Sequence, residues 1–186
     1  MRFNSHLRYQ GAHAFLSPSG YHWVNYTPER LRERWTAAQA GAYGTMQHEF
    51  AKREIDAGRL SDRADIVGLY INDCIHHKMH TEIMLFYSEH CFGTADAINL
   101  RYKHLRIFDL KTGLTPGSVH QLEVYVALFC LEYGHDPRKL SEIELRIYQG
   151  NEVQIFDADP DDIMFIMDRI REFDGLIQQI IREEEQ

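Results

Sequence analysis

The chain has 186 residues, 44% of them hydrophobic and 26% charged, which is enough for one buried core with appended helices. Its net charge is −8. Fourteen acidic and six basic residues lie from Asp136 onward, leaving fourteen of each before it, so the acidity belongs to the C-terminal part. No run of eighteen apolar residues occurs and the first thirty residues are polar, so we expect no membrane span, no secretory signal and a cytoplasmic protein.

Residues 1–26 read as an N-terminal arm, with Tyr21 and Trp23 anchoring a turn-rich loop or, alternatively, stacking on bases. Thr27-Pro28-Glu29 starts a helix that Gly41-Ala42-Tyr43-Gly44 is expected to interrupt. Thr45 would cap its continuation to Gly58. There His48, Ala51 and Ile55 share one stripe, which points His48 inward. Ser61 to Lys78 reads as a second amphipathic helix. Its terminal His76 and His80 are cations at a helix end rather than a zinc pair, because no further ligands follow at a readable spacing.

Three extended runs come next: Thr81 to Glu89, Gly93 to Leu100, and Leu105 to Lys111. Their spacing predicts an antiparallel meander. In its second hairpin Leu100 falls opposite Leu105, and counting back sets Asp96 opposite Asp109. Opposed side chains have Cβ atoms roughly 5 Å apart, where like charges destabilise. A hard divalent cation such as Mg²⁺ between the two carboxylates is the simplest reason for them. Alternation sets Asp109 and Lys111 on one face, and Glu82 near the start of the first strand is either a further ligand or a solvated acid.

Val119 to Tyr133 is apolar nearly all round, as a buried helix packed on a sheet would be, with Gln121 and Tyr125 four residues apart on one face. It crosses over to a parallel strand, Ser141 to Gln149; Asn151 to Phe156 adds an edge strand. Asp159-Pro160 opens a last amphipathic helix that has the core or another subunit to pack on. The boundaries are thus an arm over 1–26, a core over 27–156 and a C-terminal helix over 157–186, in a single domain. Cys74, Cys91 and Cys130 are scattered, which suits reduced buried thiols.

Gly44-Thr45 before His48, Gly93-x-x-Asp96, Asp109-x-Lys111-Thr112-Gly113 and Gln121-x-x-x-Tyr125, in that order, resemble the RecB-type branch of the PD-(D/E)xK nuclease superfamily, in particular its small phage and bacterial exonuclease-like members. The resemblance covers roughly Thr27 to Gln149. It implies an α/β restriction-endonuclease-like core, with a mixed sheet of an antiparallel meander plus a parallel strand after a crossover helix, flanked by helices. It implies a DNA nuclease of recombination, repair or defence that depends on Mg²⁺ or Mn²⁺. His48, Asp96, Asp109 and the Leu110 carbonyl would hold the metal. Lys111 would serve the attacking water and the phosphate, while Gln121 and Tyr125 support the site and touch DNA. The cysteine pattern of the iron–sulfur members is missing, so no cluster is expected. The alternative is a non-cutting DNA-end or protein-binding module, and homo-oligomerisation is left open.

Overall fold

The structure is a computed structural model and describes residues 14–184. The first half of the expected arm, residues 1–13, and the last two residues of the expected C-terminal helix lie outside the described residues. Contacts divide the chain between Tyr43 and Gly44 into two compact units. In the first, 3-10 turns over Pro18–Asn25 follow Ser17, whose carbonyl accepts the Trp23 indole N–H at 2.9 Å. Trp23 therefore anchors its loop, whereas Tyr21 is exposed. Phe15 meets Trp35 edge to face at 5.0 Å, and Thr27 Oγ1 accepts from Arg30 N at 3.2 Å as a helix cap.

Helix α1 is one helix, Pro28–Asp56, and the expected break at Gly41–Gly44 does not occur. Gly44 is there for a different reason. A Cβ on it would lie 2.6 Å from Thr112 Oγ1, so the missing side chain lets α1 approach the end of a strand. Helix α2 is shorter than the expected Ser61 to Lys78, spanning Ile66–His77. Asp65 caps it by accepting from Gly68 N at 2.9 Å. Ser61 stays outside, its N–H donating to Asn72 Oδ1 at 2.8 Å. At the other end, the buried Asn99 amide donates to the carbonyls of His77 and Lys78 at 2.7 and 3.0 Å, satisfying the last turn.

Five strands form one mixed sheet in sequence order: β1 (His80–Ser88), β2 (Cys91–Arg101), β3 (His104–Lys111), β4 (Glu142–Gln149) and β5 (Glu152–Asp157). The first three make the expected antiparallel meander; β4 lies parallel to β3 after helix α3 (Val119–Tyr133), and β5 is an antiparallel edge. The β2–β3 turn is Tyr102-Lys103, both at positive φ (52° and 65°), which matches the twist of a two-residue hairpin and sets Leu100 opposite Leu105.

Each sheet face carries a hydrophobic layer. On one, Leu105, Ile107, Leu145 and Ile147 pack under α3 (Leu122, Val126, Phe129) and under Ile163 and Met167 of helix α4 (Pro160–Glu184). On the other, Phe108, Leu110 and Tyr148 pack under Ala51 and Ile55 of α1 and under Val67, Tyr70 and Ile71 of α2. The molecule is thus α/β, a mixed sheet flanked by helices. Among the described residues no helix is long and apolar enough to cross a membrane.

Period-2 alternation breaks in β1 and β2 around Glu82 and Asp96. Thr81 turns to α1, where its hydroxyl donates to Asp56 Oδ1 at 2.6 Å, yet Ile83 belongs to the α3 layer. On the neighbouring strand Ala97 lies in the α1 layer and Ala95 in the α3 layer. Between them sit Glu82, at φ +51°, and Asp96. A left-handed residue inside a strand re-aims the chain, as bulges do beside functional sites.

Candidate metal centre

The β2–β3 ladder runs from Arg101 and His104 to Ala97 and Phe108 and ends there, one step short of the expected Asp96–Asp109 pair. Asp96 Oδ2 accepts from Leu110 N at 2.9 Å and lies 3.5 Å from His48 Nδ1. The break in alternation at Glu82 brings a third group that could hold a cation: one atom each from His48, Glu82 and Asp96 lie within 4.8 Å of one another. Asp109 stands outside that triple. Its charge still acts on Asp96, whose carboxyl is pushed up to about 6, first by burial and then by Asp109, against the opposing pull of His48 and the Leu110 N–H.

Asp109 is buried beside the ammonium of Lys111, which donates to Oδ1 at 3.1 Å and lies 3.0 Å from Oδ2. Oδ2 itself is buried without a well-directed hydrogen bond. Lys111 also donates to Gln121 Oε1 at 3.0 Å, and Gln121 Nε2 donates to Tyr125 Oη at 3.3 Å. A chain of contacts therefore runs Asp109, Lys111, Gln121, Tyr125 from β3 to α3. Gly93 makes room for it, since a Cβ there would lie 3.0 Å from the Tyr125 ring. The imidazole nitrogen of His48 and the two carboxylates of Glu82 and Asp96 form a set that suits a hard divalent cation.

The loop after Lys111 is held from β4. The Gln149 amide donates to the Gly113 and Thr115 carbonyls, both at 2.7 Å, and accepts from Gly117 N at 2.9 Å. Gly117 in turn lies against the Lys111 stem, where a Cβ would sit 3.1 Å from Lys111 Cγ. Gln149 is not legible as a site residue from sequence, because nothing within β4 announces contacts with a loop more than thirty positions earlier. Glu82 is marked there only by its place at a strand start; the backbone that aims it carries no sequence sign such as glycine.

A second group, His104, Glu142 and Glu144, lies at the far end of β3 and β4. It already holds cations of its own. Arg106 Nε donates to Glu144 at 2.9 Å, and Arg146, which also binds Asp73 at 3.0 Å, closes the other side. Burial pushes the Glu144 carboxyl up, but the Arg146 and Arg106 guanidiniums hold it below its ordinary value. That arrangement is an ion-pair network.

No family model, curated protein or solved structure matches this chain. What the protein does is therefore read from the chemistry of the site itself.

Proposed function

We propose that the protein is a divalent-metal-dependent DNA nuclease with a restriction-endonuclease-like core of the RecB type, and that it acts as an exonuclease in phage or bacterial DNA recombination, repair or defence. The observation that carries this reading is the convergence of His48, Glu82 and Asp96 beside the buried Asp109–Lys111 pair. His48, Glu82 and Asp96 would hold Mg²⁺ or Mn²⁺, with Asp109 and the Leu110 carbonyl completing the protein's share. A bound cation would neutralise phosphoryl charge and make water more acidic. Lys111, oriented by Asp109 and Gln121, is placed to hold a phosphate oxygen or take part in moving a water proton. Gln121 and Tyr125 keep the ammonium aimed.

The sheet face turned away from α3 offers a place for the rest of a polynucleotide. Ile83 and Leu85 pack into the α3 layer, which turns Met84 and Phe86 to the opposite face, and Thr94 and Phe92 of β2 pair with them there. Met84, Phe86 and Phe92 are exposed, and the two phenylalanine rings stack 6.0 Å apart. Exposed aromatic rings on the two strands that carry Glu82 and Asp96 would support nucleobases of a single strand.

The test incubates purified protein with linear and circular DNA in Mg²⁺ or Mn²⁺, beside Lys111→Ala, with cation binding followed by calorimetry. Shortening of linear DNA that needs the cation and Lys111 supports the reading. Saturable cation binding without cleavage replaces it with the binding-module alternative, and no cation binding at all removes both the metal centre and the nuclease.

A further inference from the structure

Helix α4 is longer than the core it covers. Ile163, Ile166, Ile170, Phe173, Ile177 and Ile180 alternate at steps of three and four residues, the a/d spacing of a two-helix seam. The first half of that seam is used inside the chain, with Ile163 and Met167 buried and Ile166 and Ile170 packed on the α3 layer. From Phe173 on, Asp174 is the one buried residue among the described residues of α4, its carboxylate taking the Ser88 hydroxyl and the Gln178 amide. Phe173, Leu176, Ile177, Ile180 and Ile181 are exposed. Beside them an apolar groove of about 280 Å³ opens between α4 and the β1–β2 turn, lined by His90, Cys91, Ile166, Ile170, Phe173 and Ile177 among others.

We propose that the occupant of this face is α4 of a second copy, packed antiparallel. The charges select it. With two α4 helices crossing at Gly175, Phe173 of each copy meets Ile177 of the other and Ile170 meets Ile180. On the flank of the same seam Arg169 falls alongside Glu183 of the second copy, twice by symmetry. Arg169 lies over the Phe173 ring, 4.0 Å from its centroid, and pairs with Glu172 of its own helix at 2.6 Å, a contact it would share with Glu183 of the second copy. Parallel packing would instead bring Glu183 and Glu184 of both copies together, which like charges disfavour.

Sedimentation velocity from low micromolar to several hundred micromolar, away from DNA and divalent cations, tests this independently of nuclease activity. The expected result is a reversible dimer that Ile177→Glu converts to monomer with unchanged circular dichroism. Arg169→Glu should weaken it by roughly threefold to tenfold, and adding Glu183→Arg in the same chain should restore it. A monomer throughout, a dimer untouched by Ile177→Glu, or no rescue by the charge exchange overturns the antiparallel pairing; the first outcome would leave the face to a different protein.

Discussion

Lys111 joins the chemistry of the site to its stability, because its ammonium is the cation beside the buried Asp109 carboxylate. We expect Lys111→Ala to slow DNA cleavage by roughly a hundredfold to ten-thousandfold, the range of a lost proton-transfer group, while Mn²⁺ binding survives. It should also cost of order 1–3 kcal/mol in urea unfolding, since it leaves a buried charge with one partner fewer. Asp96 gives a pH signature. Its carboxyl sits at about 6 in the folded protein against 3.8 for an ordinary aspartate, so the folded state holds the proton more tightly than the unfolded chain. The metal-free stability from this group is full below the lower value and is lost as pH rises through the higher one. A cation that needs the ionised carboxylate should reverse that loss. Mn²⁺ is therefore expected to raise the melting temperature more at neutral pH than near pH 5, and Asp96→Asn should remove the difference in differential scanning fluorimetry.

At the scale of elements, local rules work where neighbours in sequence set the geometry. Tyr102-Lys103 is a two-residue turn between alternating apolar runs, so the β2–β3 register is legible, and α3 is legible from its apolar length. Helix α1 departs from expectation because Gly41 and Gly44 look like breakers, whereas the reason for Gly44 lies at Thr112, far along the chain. The start of α2 departs from the expected Ser61 because Asp65 caps the helix, just before its apolar positions begin at Ile66. The close fit at that cap is testable. A Cβ at Gly68 would stand 2.3 Å from the Arg63 carbonyl oxygen, so Gly68→Ala should destabilise by about 1–3 kcal/mol despite the better helix propensity of alanine, as read by thermal unfolding. Gln149→Ala should release the loop after β3. Amide exchange at Gly117 is expected to accelerate, and cleavage to slow by roughly tenfold as Lys111 loses its support.

At the scale of the molecule, one sheet separates two apolar layers, and the candidate centre lies where strand faces exchange between them. The α3 layer carries Gln121 and Tyr125, and the α1 layer carries His48, so both sides of the sheet have to be in place before the site exists. Leu122→Ala, at a fully buried position of α3, should cost about 2–5 kcal/mol in urea denaturation. The amphipathic α4 is legible as a helix from its apolar spacing, but how much of its seam the chain covers by itself depends on packing that the spacing does not contain.

Glu82 adopts a backbone geometry that glycine tolerates and glutamate resists. Selection for heat resistance alone would therefore favour Glu82→Gly, relaxing the twist in β1 and discarding a carboxylate in one step. Variants recovered from such a screen should unfold later and coordinate Mn²⁺ less tightly, an opposition between durability and chemistry localised to a single torsion angle.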